Sequence, residues 1–197
     1  MIGSTATGKK VIADSASSIK KLSMELGGNA PFIVFDDADL VNAIDLAVAI
    51  KYGNSGQICV AANRFFIHEN IYDEFVKGFK QKVTELALGF GLEQSPDMGP
   101  LISKNAQSRM THFVNDAVAK GATLLFGGSV PKSFEGGYWF SPTILVDVTT
   151  EMAVFKEEIF GPIAPIMKFN SDEEVLKLAN STEYGLASYI FTSNANF

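Results

Sequence analysis

The sequence predicts an α/β protein built around a mostly parallel sheet. Helical and strand-like stretches alternate along the 197 residues, which is the pattern of such a domain. A continuous apolar run at residues 32–35, between Pro31 and Asp36, is typical of a buried strand. The composition, 47% hydrophobic and 19% charged, supplies enough apolar surface for a sizeable core.

Strands and helices follow one another in the predicted order. We predict strands at residues 23–26, 32–35, 64–68, 123–126, 138–146, 164–169 and 187–191, with loops at 89–100 and 127–137 and a turn or short helix at 157–161. We predict helices from the glycine-rich segment 3–8 to residue 14, over 40–52, from residue 70 onward, over 105–120 and from 171 to 180.

Capping and breaker residues support these helices. Asp39 is suited to cap the helix over 40–52, which is apolar nearly all round and is therefore expected to be buried. Asn70 is expected to cap the next helix, whose apolar side chains recur on one face. Gly121 suits a helix end, and Ser171 with Glu174 makes a capping box.

Charge and cysteine content exclude several classes of protein. The net charge is −6 and the basic residues are scattered, so the sequence shows no basic stripe for nucleic acid. A single cysteine excludes an internal disulfide and fits a reducing cytoplasm. No apolar run reaches membrane-spanning length, and the N-terminus lacks the pattern of a signal peptide. We therefore expect a cytoplasmic protein without nucleic-acid or membrane partners.

Cys59 is the first candidate for chemistry. A lone cysteine is most often a buried structural thiol. Here it follows the polar, flexible segment 54–57, which lies between an apolar helix and Val60. Reactive thiols sit at such exposed turns, where backbone N–H groups or positive charge favour the thiolate. Cys59 is therefore a candidate nucleophile, and a buried structural thiol is the alternative.

Glu25 is the second candidate. It stands in an apolar stretch before Gly27, where glutamate is unfavourable for a strand, although a solvated carboxylate is the simpler interpretation. Burial raises the pKa of a carboxyl group, which suits a general base near neutral pH, so we expect a partly buried side chain. The separation from Cys59 is one strand–helix unit, so both residues could face one crevice.

Three other features of the sequence give weaker indications of function. The glycine-rich segment 3–8 could bind phosphate at a helix N-terminus, but it does not match the usual dinucleotide fingerprint. Glu158, next to Glu157 and before a Gly-Pro break, is either an acidic helix end or a ligand for ribose hydroxyls. His68 and His112 are isolated, so we predict no metal site.

Together these motifs resemble the aldehyde dehydrogenase superfamily, and most closely the succinate-semialdehyde dehydrogenases. They occur in the family's order along nearly the whole chain and are highly specific jointly. The segments that carry the resemblance are Gly3-Ser-Thr, Glu25-Leu-Gly-Gly-Asn-Ala-Pro31, Gly56-Gln-Ile-Cys59, Gly99-Pro-Leu-Ile102, Glu158-Ile-Phe-Gly-Pro162 and Asn180 with Tyr184-Gly-Leu-Ala187.

The resemblance implies a role for each candidate. Cys59 is expected to attack the aldehyde, and Glu25 to activate the water that hydrolyses the resulting thioester. NAD or NADP is the implied cofactor. The residues implied to contact it are Gly3 and Ser4 at the pyrophosphate, Leu26 at the nicotinamide amide, Glu158 at the nicotinamide ribose and Phe160 near the ring.

The resemblance also implies a domain division. Residues 1–27 correspond to the C-terminal remnant of the dinucleotide-binding domain, and residues 28–197 to a three-layer catalytic domain with a mostly parallel twisted sheet, truncated at its C-terminus. We expect the isolated chain to lack normal dehydrogenase activity, because the first cofactor strands and the family's oxyanion-hole asparagine precede it. The full-length parent is expected to be a homodimer or homotetramer.

Two departures affect the expected substrate. Gly53 stands where many succinate-semialdehyde dehydrogenases have an arginine for the distal carboxylate, and Ala61 where some have a second cysteine. Oxidation of succinate semialdehyde to succinate therefore remains one hypothesis, and oxidation of neutral aliphatic or aromatic aldehydes another. An inactive structural protein and a thiol hydrolase are the other classes, although Cys59 has no evident histidine partner.

Overall fold

A computed structural model describes residues 1–92, 95–134 and 136–194. The helices are α1 (Thr5–Ser15), α2 (Leu40–Tyr52), α3 (Tyr72–Thr84), α4 (Lys104–Ala119), α5 (Ala153–Lys156) and α6 (Asp172–Ala179). The strands are β1 (Ala30–Val34), β2 (Ala62–His68), β3 (Thr123–Phe126), β4 (Thr143–Val146), β5 (Ile163–Phe169) and β6 (Tyr189–Phe191).

The strands form one sheet in the order β3-β4-β5-β2-β1-β6 within the described residues. Every neighbouring pair is parallel except β3 and β4, which confirms the predicted mostly parallel sheet. Short crossovers cannot join parallel strands, so the intervening helices must cover the faces of the sheet. β1 lies between β2 and β6.

Alternating side chains of the central strands divide the core into two parts. Phe32 and Phe65 are fully buried on one face, in a cluster with residues of α2 and α3. Ile33 and Phe66 are buried on the other face, in a cluster with residues of α4, α5 and α6. The period of two along a strand produces this division. The protein therefore has the predicted three layers, with the sheet in the middle.

A buried arginine ties three segments together. Arg64 in β2 is 1% exposed and donates hydrogen bonds to the main-chain carbonyls of Asn29, Leu178 and Ala179 at 2.9–3.1 Å. The last two carbonyls belong to the C-terminal turn of α6, whose partial negative charge favours a cation. Burial lowers the pKa of Arg64 to about 10. The contact fixes the chain that leads into β1.

Several sequence predictions need correction. Residues 23–26 form no strand, because only Glu25 pairs with another backbone segment, in an isolated bridge to Ile2. Asn70 does not cap α3; its side chain donates to Asp36 instead, and a short 3-10 turn at Glu69–Ile71 precedes the helix. The strand predicted at 138–146 begins only at residue 143, and α5 was not predicted.

The expectation that α2 is buried all round is also wrong. Ala43, Ile44 and Ala47 are buried, but Val41 is 69% and Leu46 39% exposed. A helix against a sheet buries one stripe, and the opposite stripe remains accessible even when its residues are apolar.

The loops predicted at 89–100 and 127–137 include residues 93, 94 and 135, which, like 195–197, lie outside the described residues. No described helix has the length and apolarity needed to cross a membrane.

Candidate active site

All seven site residues predicted from the sequence line one cleft. The cleft has a volume of about 700 Å³, and its walls include Gly3, Ser4, Glu25, Leu26, Cys59, Glu158 and Phe160. These residues come from the start of α1, the segment before β1, the turn after α2 and the loop before β5. Within the described residues no cluster of three potential metal-binding side chains occurs. The cleft therefore combines one thiol with two carboxylates.

The turn that carries Cys59 has an unusual backbone. Asn54, Ser55 and Gly56 have φ values of 49°, 57° and 72°, in the left-handed region that non-glycine residues rarely adopt. At Gly56 a Cβ would collide with the carbonyl oxygen of Gly161, so no other residue fits there without a backbone shift. This strained turn ends α2 and presents Cys59 at the cleft, with its side chain partly buried.

Polar side chains hold this turn against the segment at 99–102. Ser55 donates to the Gly99 carbonyl at 2.7 Å, and the Gln57 side-chain oxygen accepts from the Ile102 N–H at 2.9 Å. Asn54 donates to the Gln57 carbonyl at 3.0 Å within the turn. The motif at 99–102 is one of those that carry the family resemblance, but no function was predicted for it. In the structure it buttresses the turn that carries Cys59.

Gly28 lies directly against Cys59. A Cβ built at Gly28 would meet the carbonyl oxygen of Cys59, and main chain cannot move aside as easily as the end of a side chain. Gly28 is buried. The glycine therefore allows two backbone segments to touch, which brings the chain that carries Glu25 next to the thiol turn.

The Glu25 side chain is exposed, which corrects the expectation of partial burial. The Glu25 backbone pairs with Ile2 in an isolated bridge and is not part of a strand of the sheet. The Glu25 main chain is nonetheless fixed: its carbonyl accepts from the Gly3 N–H at 3.0 Å, and its N–H donates to the Met1 carbonyl at 2.9 Å. Glu25 therefore reaches the cleft from the solvent side.

The start of α1 lies beside Glu25 because of that bridge. Ser4 caps the helix, and its side chain accepts from the Thr7 N–H at 3.2 Å. The Gly3 N–H is occupied by the Glu25 carbonyl, so it is not free to donate to an anion. The helix N-terminus nevertheless opens on the cleft and gives that wall a partial positive charge.

Glu158 and Phe160 come from the loop before β5. The Glu158 carboxylate accepts from the Gly28 N–H at 3.1 Å, and it occupies the space that a Cβ at Gly27 would need. Burial raises the pKa of Glu158, while the Gly28 N–H and the nearby Arg109 charge oppose that rise. Phe160, with a φ of 50°, is 39% exposed and presents its ring in the cleft.

Sequence reasoning missed Arg109. This residue of α4 donates to the Glu158 carbonyl at 2.7 Å, forms an ion pair with Glu157 at 3.2 Å and lines the cleft. Its guanidinium also stacks over the Phe113 ring, 4.8 Å from the centroid. An isolated arginine on the helix predicted over 105–120 gives no indication of these contacts, because the loop that it binds is distant in sequence.

Comparison with known proteins defines the family. The model of the aldehyde dehydrogenase family matches residues 1–196, so the chain belongs to that family. The chain is 47% identical over 192 residues to the mitochondrial succinate-semialdehyde dehydrogenase of Oryza sativa subsp. japonica. The alignment covers 98% of this chain but 36% of that protein, so the chain spans little more than a third of this relative.

Solved structures agree with the family and the fold. The structure of 3,6-anhydro-L-galactose dehydrogenase in complex with NAP superposes with a TM-score of 0.97 at 43% identity, covering all of this chain and 42% of that one. The NAD+ complex of an aldehyde dehydrogenase from Bacillus cereus gives a TM-score of 0.94 at 40% identity, covering 99% and 39%. The three-layer arrangement described above is therefore that of aldehyde dehydrogenases.

Proposed function

We propose that the protein of which this chain is part oxidises an aldehyde to a carboxylic acid with NAD or NADP, through a covalent intermediate on Cys59. The observation that carries the proposal is the single cleft shared by the predicted nucleophile, the predicted base and the predicted cofactor contacts. We assign residues 1–27 to the end of a dinucleotide-binding domain and 28–197 to the catalytic domain. Family membership supports both assignments.

The residues around the cleft fit a nicotinamide cofactor. Ser4, at the N-terminus of the 11-residue helix α1, supplies the positive end of a dipole for the pyrophosphate. The Glu158 carboxylate is suited to accept from ribose hydroxyls, and the exposed Phe160 ring and Leu26 offer apolar contacts to a flat ring. Relatives of this fold have been solved with NAP and with NAD+. A bound cofactor would supply a hydride acceptor, so that the thiohemiacetal formed on Cys59 could be oxidised to a thioester.

Cys59 and Glu25 divide the remaining chemistry. The thiolate of Cys59 attacks the carbonyl carbon and forms the C–S bond, while the Cys59 main-chain N–H is the local donor for the developing oxyanion. Glu25 then takes a proton from water, whose oxygen attacks the thioester carbon. The C–S bond breaks, the carboxylic acid leaves and the thiol is restored. The solvent-side position of Glu25 supports this role, because water reaches it directly.

Two substrate classes remain in competition. Similarity to a succinate-semialdehyde dehydrogenase favours an acidic aldehyde. Gly53, next to the turn that carries Cys59, favours a neutral aldehyde, because it offers no cation for a distal carboxylate. The 3,6-anhydro-L-galactose dehydrogenase is a relative named for a neutral substrate.

We further propose a reducing compartment, the cytoplasm, which the single cysteine supports. By resemblance we propose a homodimer or homotetramer.

The test is aldehyde-dependent reduction of NAD+ and of NADP+ by the full-length protein, followed by the absorbance of the reduced cofactor. Cys59→Ser should abolish turnover, and mass spectrometry of the quenched wild type should find an acyl group on the Cys59 peptide. Comparing kcat/KM for succinate semialdehyde and for a neutral aldehyde of similar length separates the two substrate classes. Undiminished turnover in Cys59→Ser would overturn the proposal.

A further inference from the structure

The hydroxyl of Tyr189 comes from a distant part of the chain and reaches the turn that carries the proposed nucleophile Cys59, here called the nucleophile turn. Tyr189 begins the edge strand β6, and its side chain donates a hydrogen bond of 2.7 Å to the carbonyl of Val60, the residue after Cys59. Its strand position opposite Phe32 in β1 places it there, with the two ring centroids 6.0 Å apart. The acceptor is thus one peptide from the reactive thiol.

The other side of the same turn is already fixed. Gly28 contacts the Cys59 carbonyl, and the side chains of Ser55 and Gln57 bind the segment at 99–102. After Cys59 the chain is held by the Ala61 N–H, which donates to the Ile58 carbonyl at 3.0 Å, and by the bond from Tyr189. Of these two bonds, only the one from Tyr189 comes from a distant part of the chain.

We propose that Tyr189 is a positioning residue, which holds the Val60 carbonyl and thereby orients the Cys59 thiol toward the cleft. The proposal rests on the function proposed above for Cys59. Burial, followed by the nearby charge of the Cys59 thiolate, raises the pKa of Tyr189, so the hydroxyl retains the proton that it donates at neutral pH. Misplacing a reacting group by about 1 Å can lower a rate about a hundredfold, so one such restraint is measurable.

The test compares Tyr189→Phe with Tyr52→Phe. Each substitution removes a hydroxyl that donates to a main-chain carbonyl, at 2.7 Å for Tyr189 and 2.9 Å for Tyr52. The acceptor of Tyr52 is Thr143, in the core and outside the nucleophile turn. Tyr52→Phe therefore reports the cost of losing such a bond anywhere in the fold, and thermal unfolding shows whether both variants are folded.

The expected result has two parts in the full-length protein. Tyr189→Phe should lower kcat about tenfold with the cofactor KM within about twofold of wild type, since the thiol and not the cofactor is misplaced. The same variant should react with iodoacetamide at Cys59 about threefold faster, measured by mass spectrometry of the Cys59 peptide, because the released turn is more accessible. Tyr52→Phe should change neither quantity by more than about twofold.

A kcat within about twofold of wild type in Tyr189→Phe, or an equal fall in Tyr52→Phe, would overturn the proposal. The two proposals fail separately. If the wild type shows no turnover, the proposed function fails, and the alkylation rates still decide whether Tyr189 restrains Cys59. If the wild type turns over, Cys59→Ser abolishes activity and Tyr189→Phe keeps kcat within about twofold of wild type, the function stands and Tyr189 is dismissed.

Discussion

The carboxylate of Glu158 accepts a hydrogen bond of 3.1 Å from the main-chain N–H of Gly28. The bond connects the loop before β5 with the glycine pair at the proposed boundary between two domains. Gly28 in turn contacts the Cys59 carbonyl. A displacement of this glycine would therefore move a proposed cofactor contact and the nucleophile turn together.

Glu158→Gln should raise the cofactor KM about tenfold, because a hydrogen bond to an ionised group contributes about 1.5–3 kcal/mol. In the wild type the KM should also rise as pH falls through the pKa of Glu158, which burial raises, because the ionised carboxylate is the stronger acceptor. Glu157→Gln is the control, since it belongs to the same loop but binds Arg109. Equal KM values for the two variants would contradict the assigned role.

Gly28→Ala should destabilise the protein by about 1–3 kcal/mol, the usual cost of overpacking. Its Cβ meets the main-chain oxygen of Cys59, which cannot rotate away. Gly53→Ala is the matched control, because its Cβ meets only the end of Ile58, at 4.0 Å, and its φ of −51° suits any residue. Urea unfolding measures both variants. The explanation fails if they unfold at the same urea concentration.

Glu25→Gln should separate the two halves of the reaction. Thioester formation needs Cys59, whereas hydrolysis needs a base, so the variant should release one equivalent of reduced cofactor rapidly and then turn over about 10²–10⁴-fold more slowly. Stopped-flow absorbance resolves the burst. Glu69→Gln, an exposed carboxylate outside the cleft, should behave as wild type. Loss of the burst itself would assign Glu25 to an earlier step.

Gly53→Arg should shift the substrate preference toward acidic aldehydes. A Cβ at Gly53 meets only the end of the Ile58 side chain, at 4.0 Å, so we expect an arginine to be tolerated there and to offer a charged hydrogen bond to a distal carboxylate. We expect the ratio of kcat/KM for succinate semialdehyde to that for a neutral aldehyde to increase about tenfold. Gly53→Met, of similar reach but uncharged, should not increase it. A gain in both variants would indicate packing rather than charge.

Lys51 gives stability an unusual dependence on pH. The side chain is fully buried in α2, its ammonium group has no hydrogen-bond partner among the described residues, and burial lowers its pKa to about 7. Above pH 7 the unfolded chain therefore holds a proton that the folded chain has lost. The free energy of unfolding should rise with pH from about 7 toward 10.5, the ordinary pKa of a lysine side chain, by up to about 1.4 kcal/mol per pH unit.

Lys51→Met should remove that dependence and stabilise the protein at pH 7, because no charge then needs to be buried. Urea unfolding at several pH values measures the slope for both proteins. Lys82→Met is the control, since Lys82 is an exposed residue of α3 whose pKa is raised by Asp45. Parallel slopes for wild type and Lys51→Met would show that Lys51 is not the group responsible.

The sequence predicted the elements whose signals are local. Asp39 caps α2 as expected, with its side chain accepting from the Asn42 N–H at 3.1 Å, and residues 32–34 of the buried run at 32–35 lie in β1. The grouping of the site residues in one cleft was also predictable. Short motifs such as Gly56-Gln-Ile-Cys59 resemble one family, and the resemblance implies that family's arrangement of site residues. The roles of those residues stay predictions until the variants above are measured.

The features that were not predicted from the sequence depend on tertiary contacts, which a local sequence pattern does not encode. Glu25 pairs with Ile2 outside the sheet, and Arg109 binds a loop that α4 meets only after folding. Asn70 carries a good capping side chain, but Asp36 competes for it through a hydrogen bond of 2.9 Å. In each case a partner distant in sequence outweighed the local preference.

The position of β6 beside β1 has a consequence for folding. Phe32 and Tyr189 pair across almost the whole described chain, and parallel pairing at such separation forms slowly because a long loop must close first. During synthesis β6 leaves the ribosome after every other described element, so the Val60 carbonyl gains its distant donor only after the other described strands have emerged. If Tyr189 restrains Cys59 as proposed, fraying of β6 on mild heating is expected to release the thiol turn and to inactivate the protein, while the rest of the described sheet stays folded.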